Sequence, residues 1–322
     1  MTYVSRLGAV LSAMMLVVST AAFAAYPERP VTWIVPYAAG GSGDIVCRIL
    51  SNHLNQKLNI RIVVENKPGG GAAIGQELAA RARADGYTLL YDAFAMAINP
   101  SLLKDPKVDP EKDFATITQL TNMWSILVVP ASSPYPTFAE FIEDARKNPG
   151  KLNFGASGAS AGFLASELLK TAAKIDLVTI LYKGGGPATQ ATVTGEVQVY
   201  FATAGSGMPF IKSGQLRALA VAAPKRINAL PDVPTLIELG YPDFAVSEWT
   251  GMFAPKETPQ DVIQYWNREL AAVMQEPAIQ QQIGEKLGIE IVTGTPQQFG
   301  DFVKSESIRW GKLIKERNIK PE

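Results

Sequence analysis

Residues 31–54 constrain the fold more than any other part of the chain. A β-branched, apolar run ends at Pro36, a glycine-rich turn follows over residues 38–43, and apolar residues then recur with helical spacing. Glycines allow the backbone to turn sharply and bring its N–H groups close to a ligand, while the positive end of the helix lies directly behind them. The pattern predicts a strand, an anion-sized loop and a helix, as in an α/β fold.

The first 24 residues have the pattern of an export signal. Arg6 precedes an apolar run over residues 7–18, and Ala22-Phe23-Ala24 supplies the small residues that signal peptidase requires. The apolar run is shorter than the about 20 residues that span a bilayer. We therefore predict a signal peptide over residues 1–24 that is cleaved after Ala24; a retained signal anchor is the alternative.

Charge and cysteine content exclude several classes of protein. Without Arg6, 29 of the 30 basic residues remain against 30 acidic ones, which fits neither a nucleic-acid-binding surface nor a polybasic membrane patch. Cys47 is the only cysteine, so the chain forms no internal disulfide. Its apolar neighbours predict a small core residue, and a reactive thiol is the alternative.

Strands and helices alternate along the chain in two series, which predicts two α/β units, each a doubly wound sheet with helices on both faces. A final strand at 245–253 and three helices within 259–317 have no sheet of their own, so we place them on the first sheet. The chain then crosses twice between domains, near 123–127 and 243–250, and two crossings make a hinge. The predicted domains are residues 25–125 with 247–322, and residues 126–246.

The sequence contains no convincing reaction centre. His53, the only histidine, is predicted on the first helix, about three turns beyond the glycine-rich loop. The segment 155–159 is similar to the turn around a nucleophilic serine but lacks its final glycine. One histidine and one cysteine leave only carboxylates as metal ligands, and no pair has the spacing of a known site. We therefore expect no enzyme, no cofactor and no metal.

Four loops lead from a strand through small residues into a helix, at 40–44, 66–75, 155–162 and 183–187. Each can offer backbone N–H groups at the carboxyl ends of strands, where open α/β sheets bind ligands. We expect one such loop from each domain to hold a small anion between them; tight turns without a ligand are the alternative. Asp44 is interpreted as a cap that fixes its loop, because a carboxylate facing an anion would repel it.

Motifs along nearly the whole mature chain resemble those of the Bug family, the periplasmic substrate-binding proteins of tripartite tricarboxylate transporters. In the N-terminal half these are Pro36-Tyr37-Ala38-Ala39-Gly40-Gly41 with Asp44 and Arg48, Val64-Glu65-Asn66-Lys67-Pro68-Gly69, and Ala84-Asp85-Gly86-Tyr87-Thr88-Leu89-Leu90 before Asn99-Pro100. In the C-terminal half they include Tyr182-Lys183-Gly184-Gly185-Gly186-Pro187, Leu230-Pro231-Asp232-Val233-Pro234-Thr235 and Gly251-Met252-Phe253-Ala254-Pro255.

The resemblance implies a two-domain Venus-flytrap fold in the periplasm that binds a small carboxylate and delivers it to membrane permease subunits. The loops at 37–44 and 157–163 would approach the ligand carboxylate from opposite domains. We expect a monomer without nucleic-acid partners. Trp249 could either wall the pocket or pack in the interdomain core. The candidate ligand-binding residues are Tyr37, Ala38, Ala39, Gly40, Ser42, Ser157, Gly158, Ala159, Ser160, Phe163, Ala202, Thr203 and Trp249.

Two departures from the family pattern bear on the ligand. Phe163 stands where members commonly carry histidine, and Phe201-Ala202-Thr203 stands where they commonly carry Phe-Asp-Asn. The second change removes an acidic partner for a ligand ammonium, and the first makes one wall more apolar. We therefore hypothesise a ligand without a positive charge, a dicarboxylate whose body is apolar and either aliphatic or aromatic, as in terephthalate. Citrate-like ligands are the alternative. The alternative functions are a secreted α/β hydrolase-like enzyme and a ligand-sensing protein that serves a two-component sensor.

Overall fold

The computed structural model describes residues 26–158, 160–182, 184–242 and 244–320. The predicted signal peptide, its cleavage after Ala24 and the candidate residue Ala159 lie outside these ranges. Within them, no helix combines the length and the apolar character needed to cross a membrane.

Ten strands form one mixed sheet in the described part of the chain, in the order β2-β1-β3-β9-β4-β7-β5-β6, with β8 and β10 also paired to β4. The strands are β1 (Val31–Val35), β2 (Ile62–Asn66), β3 (Thr88–Ala93), β4 (Phe114–Pro130), β5 (Asn153–Ser157), β6 (Val178–Tyr182), β7 (Val199–Thr203), β8 (Leu216–Ala222), β9 (Ser247–Pro255) and β10 (Glu290–Ile291).

Helices connect these strands and cover their faces. They are α1 (Ser42–Leu58), α2 (Ala73–Ala80), α3 (Ala95–Leu102), α4 (Pro110–Asp113), α5 (Phe138–Lys147), α6 (Ala161–Ala173), α7 (Gly185–Val193), α8 (Ala204–Lys212), α9 (Gln260–Met274), α10 (Pro277–Ile279, continued by a π-helix over Gln280–Lys286) and α11 (Pro296–Glu316). The sequence pattern predicts a strand over 31–35, a helix over 161–173 and a strand over 216–222, and β1, α6 and β8 have these bounds. Most other predicted elements differ from the structure by a few residues at their ends.

Strand β4 links two α/β lobes. Its first part, Phe114 to Trp124, pairs with β9, and its second part, Ser125 to Pro130, pairs with β8. We call the part that holds β1–β3, β9 and β10 lobe 1, and the part that holds β5–β8 lobe 2. The exchange of partners falls inside the predicted first crossing, and β9 begins inside the second. The exact domain boundaries stay a prediction.

The pairing directions differ in part from the parallel sheets predicted. Strand β1 pairs in parallel with β2 and β3, and β5 pairs in parallel with β6 and β7. In contrast, β9 lies antiparallel between β3 and β4, and β4 is antiparallel to β7 and β8. The parallel pairs are joined by helical crossovers, which fix their direction, whereas β4 and β9 enter from the opposite lobe and are free of that constraint.

The C-terminal helices pack on lobe 1, as predicted. Trp266 of α9 lies edge to face with Trp33 of β1, with ring centroids 5.7 Å apart. Trp310 of α11 packs in the same way on Phe94, at 5.4 Å. All four aromatic rings are buried. Their burial explains why these helices return to the first sheet, since each carries a large apolar face that only this lobe can cover.

Candidate functional site

The loop between β1 and α1 carries the first group of predicted ligand-binding residues. Ala38, Ala39 and Gly40 lie on its exposed part, and Ser42 is the first residue of α1. Gly40 has a φ of +84°, a conformation that favours glycine. Gly41, the N-cap, has no side chain to offer, and the first three N–H groups of α1 have no hydrogen-bond partner among the described residues. The helix start is therefore available to an anion.

Asp44 holds this loop in place. Its carboxylate accepts hydrogen bonds from the Gly40 N–H at 2.9 Å, the Arg48 Nε at 3.0 Å and the Asn66 Nδ2 at 2.8 Å. Burial alone would raise the pKa of Asp44, but these hydrogen bonds outweigh it and hold the pKa below its usual 3.8. These contacts join the loop at Gly40 to α1 and to the end of β2, as expected of a residue that fixes the loop.

The second group of predicted residues lies before α6 in lobe 2. Ser157 ends β5, and its hydroxyl donates to the Ser160 Oγ at 3.1 Å. Ser160 is the N-cap of α6 and accepts from the Phe163 N–H at 3.2 Å. Gly158 is exposed beside them. The structure thus brings Ser157, Gly158 and Ser160 together at one helix start.

The third group leads from β7 into α8. Ala202 is fully buried and pairs with Ile126 of β4, so its methyl group packs in the core behind the cleft. Thr203 is the N-cap of α8 and is only partly buried. Its Oγ1 lies 3.1 Å from the Ser206 Oγ. Two hydroxyl groups therefore stand at this helix start.

The two lobes touch where helix starts meet. A Cβ placed on Gly205, at the start of α8, would lie 2.5 Å from the Ser42 Oγ and 3.0 Å from the Ser42 Cβ. Within lobe 2, a Cβ on Gly185 of α7 would lie 3.6 Å from the Ser206 Oγ. The start of α8 therefore lies against the start of α1 of the other lobe and beside the start of α7, and each brings the positive end of its helix.

Tyr37 is held by a buried polar network that the sequence analysis missed. Its hydroxyl donates to Asp92 Oδ1 at 2.8 Å, and Gln76 Nε2 donates to Asp92 Oδ2 at 2.8 Å. Asn99 Nδ2 donates to Gln76 Oε1 at 3.0 Å. Asp92 is fully buried, and burial raises its pKa to about 6 although the hydrogen bonds from Gln76, Tyr37 and its neighbour's N–H oppose the rise.

Glu248 is the second acidic residue that the sequence analysis missed. It lies on β9, and its Oε2 accepts a hydrogen bond from the Ala161 N–H, the first of α6, at 2.9 Å. Burial raises the pKa of Glu248 to about 7; the charge of Asp92 adds to the rise, while the N–H groups of Ala161 and Phe94 oppose it. Ala161 belongs to lobe 2 and Phe94 to lobe 1, so this carboxylate contacts both sides of the cleft. A lone acidic residue inside an apolar strand was the available signal for both Asp92 and Glu248.

Two predicted pocket residues lie in the core. The Trp249 ring is fully buried and packs edge to face on Phe299 and Phe302 of α11, at 5.7 and 5.5 Å. Of the two alternatives stated for Trp249, the contacts are those of the interdomain core. Phe163 is also buried and belongs to the hydrophobic core. Alternation along β9 explains the first case, because Glu248 and Trp249 face opposite sides of the sheet.

The environment of Ser157 and His53 bears on the catalytic alternative. The His53 Nε2 is hydrogen-bonded to Glu276, which Lys57 also contacts at 2.6 Å. This cluster belongs to α1 and the turn before α10, whereas the hydroxyl of Ser157 bonds to Ser160. Within the described ranges, no group of three or more His, Cys, Asp or Glu residues could hold a metal ion. Cys47 is fully buried, and burial raises its pKa well above the usual value, as in a core residue.

Comparison with known protein families and sequences identifies relatives of this chain. The model of the "Tripartite tricarboxylate transporter family receptor" matches residues 46–319. A Pseudomonas sp. (strain P51) protein, described as a UPF0065 protein in the tcbD-tcbE intergenic region, is 35% identical over 297 residues, 92% of this chain and 88% of its own. Protein BugT of Bordetella pertussis is 32% identical over 300 residues, 92% of this chain and 91% of its own.

Solved structures share the fold over almost their whole length. The periplasmic binding protein BugD is 34% identical with a TM-score of 0.85, and the match covers 92% of this chain and all of BugD (100%). An R. palustris protein solved with adipate is 29% identical with a TM-score of 0.87, over 92% and 100%. MatC from Rhodopseudomonas palustris, with bound malate, is 29% identical with a TM-score of 0.83, over 90% and 100%. The chain therefore belongs to the Bug family, the periplasmic receptors of tripartite tricarboxylate transporters.

Proposed function

We propose that the cleft captures a small dicarboxylate and that the protein delivers it to the permease subunits of a tripartite tricarboxylate transporter. The observation that carries this proposal is the contact between Ser42 and Gly205, which joins helix starts from opposite lobes. Helix starts present unpaired N–H groups and a partial positive charge, and both favour a carboxylate. A ligand held from two sides also stabilises the closed state, because its contacts are complete only there.

The domain arrangement supports capture by hinge closure. Residues 25–125 with 247–322 would move against residues 126–246 about the two crossing segments in β4 and β9. Export with cleavage after Ala24 places the mature protein in the periplasm, where we expect it to act as a monomer. Delivery needs no chemical change of the ligand, which agrees with a receptor family.

The titles of the related structures support a dicarboxylate, since they name adipate and malate for those proteins. For this chain we propose an uncharged body between the two carboxylates, either aliphatic as in adipate or aromatic as in terephthalate. The burial of Phe163 in the core removes one argument for an aromatic body. The Tyr37 ring and Ala38 and Ala39 remain as apolar surface beside the helix start of α1.

Isothermal titration with adipate, terephthalate, malate, citrate and aspartate tests the proposal. We expect saturable 1:1 binding of at least one dicarboxylate, with the acid recovered unchanged. Thr203→Val removes a hydroxyl at the start of α8 and should weaken that binding about 10- to 150-fold, the effect of one hydrogen bond to a charged group. Thr194→Val, on an exposed position after α7, is the matched control. Binding of aspartate alone, or conversion of the acid, would contradict the proposal.

A further inference from the structure

Glu248 occupies a place that a ligand carboxylate would otherwise take. Its Oε2 lies 2.9 Å from the Ala161 N–H at the start of α6. In this helix the Phe163 N–H is bonded to the Ser160 hydroxyl, so Ala161 and Gly162 are left to contact an anion. The protein thus places its own carboxylate at a helix start that faces the cleft.

The neighbours of Glu248 leave its charge poorly compensated. Within the part of the chain that the structure describes, the titratable groups whose charges interact with Glu248 are Asp92 of β3, Tyr37 after β1 and Tyr200 of β7, and none of these three is a cation. Among the described residues, the groups that favour the charged form of Glu248 are the N–H groups of Ala161 and Phe94. An anion bound in the closed cleft adds a further negative charge. Its electrostatic repulsion with ionised Glu248 is strongest there, because water is excluded.

We propose that Glu248 couples capture of an anionic ligand to the uptake of one proton, which it holds in the closed, occupied cleft. The inference rests on the proposed function and adds the protonation state of Glu248 when the cleft holds its ligand. When the cleft opens, α6 moves away from lobe 1 and the hydrogen bond from the Ala161 N–H to Glu248 breaks. Glu248 then becomes more exposed to solvent, and its carboxyl group returns toward the ordinary ionised state. Closing around an anion reverses these changes and favours the protonated acid, which donates its proton as a hydrogen bond in the cleft.

Asp92 is a less suitable site for this proton. Asp92 is fully buried, and its partners Tyr37, Gln76 and Ala93 all belong to lobe 1. Opening leaves these bonds in place, and so the environment of Asp92 changes little on capture. Glu248 is the carboxylate whose contacts span both lobes.

The proton can be counted directly. Adipate is titrated into the wild-type mature protein at pH 7.5 in two buffers with different heats of ionisation, MOPS and Tris. We expect the binding heat to differ between the buffers in the sense of uptake of between about 0.5 and one proton for each adipate bound. Between about pH 6.5 and 8.5, where free carboxylic acids are ionised, the affinity should fall with rising pH by up to about tenfold per unit. If adipate does not bind, terephthalate and malate are used in the same way.

Glu248→Gln assigns the proton. The amide keeps an oxygen that accepts from Ala161 but has no charge to titrate, so we expect no proton uptake and a nearly constant affinity between pH 6.5 and 8.5. At pH 8.5 the variant should bind more tightly than the wild type. Glu290→Gln, on the exposed β10, is the matched control and should keep the wild-type pH dependence.

The outcomes separate this inference from the proposed function. Wild-type binding without proton uptake overturns the inference and leaves the receptor function intact, and so does an unchanged pH dependence in Glu248→Gln. If none of the acids binds, the proposed function fails and the inference fails with it. The wild-type proton count decides the question even if the variant does not fold.

Discussion

Single acidic residues inside apolar strands determine the electrostatics of the cleft. Asp92 lies in a run of buried side chains and partly buried Glu248 directly precedes one, and each is held by N–H or O–H donors from its surroundings. A buried carboxylate costs free energy unless donors satisfy it, and both pKa values are raised because the donors compensate only part of that cost. Asp44 shows the opposite balance, since an arginine, an amide and a backbone N–H lower its pKa.

The raised pKa of Asp92 determines how the free energy of unfolding changes with pH. Its folded-state pKa of about 6 lies above the usual 3.8, so the folded protein binds this proton more tightly than the unfolded chain. Ionised Asp92 therefore lowers the free energy of unfolding above about pH 6. This destabilisation is relieved as the pH falls through 6 toward 3.8.

Tyr37→Phe tests this residue. The change removes the hydroxyl that donates to ionised Asp92, and we expect the free energy of unfolding to fall by about 2 kcal/mol at pH 8. At pH 5, where Asp92 is protonated in the folded protein, the loss should be about half of that or less. Urea unfolding at the two pH values measures both. Tyr265→Phe on α9, outside the cleft, is the control, and an equal loss at both pH values for Tyr37→Phe would refute the account.

At the scale of elements, close approach between helix and strand positions the ligand-facing helix starts. A Cβ on Gly162, in the first turn of α6, would lie 2.8 Å from the Phe201 carbonyl oxygen of β7. A backbone carbonyl cannot move aside as a flexible side chain can. Glycine at position 162 is therefore needed for α6 to pack this closely against β7. Ser157, Ser160 and Glu248 depend on that position.

Gly162→Ala tests this packing. We expect the free energy of unfolding to fall by about 1–3 kcal/mol, because α6 must shift away from β7, and ligand affinity to fall with it. Gly186→Ala in α7 is the matched control, since a Cβ there meets nothing within 4 Å. Its effect should stay within about 0.5 kcal/mol. Urea unfolding of both variants gives the comparison, and equal stability of the two would contradict the packing argument.

For the whole molecule, the decisive feature is that helix starts from two lobes are in contact. Lobe 1 supplies α1 and lobe 2 supplies α7 and α8, and β4 and β9 pass between the lobes. In the proposed hinge closure, the contacts that exist only in the closed form would come from the ligand and from pairs such as Ser42 with Gly205. Closure is therefore sensitive to single atoms at this contact.

Gly205→Ala should weaken ligand binding without unfolding the protein. The added Cβ would lie 3.0 Å from the Ser42 Cβ, so full closure is resisted while each lobe keeps its own packing. We expect the affinity for adipate, or for the dicarboxylate that binds best, to fall about tenfold, which is 1.4 kcal/mol. The melting temperature without ligand should change by less than about 2 °C. Calorimetry measures both quantities, with Gly186→Ala again as control; an unchanged affinity would show that closure does not bring these atoms together.

The sequence by itself determined the α/β class, the family and the loops before α1 and α6, but it predicted the start of α8 at residue 208, four residues beyond the Ala204 start that the structure shows. Periodicity and glycine-rich turns are local, and so they located β1, α1 and α6 and the loops at 37–44 and 157–160. Periodicity did not reveal α3 or the first part of β4, where nearly continuous apolar residues hide both periods. Which residues face the cleft was decided only by the tertiary structure. The placement of Glu248 toward the cleft and Trp249 in the core depends on how β9 is seated between two lobes, and contacts between distant segments set that orientation.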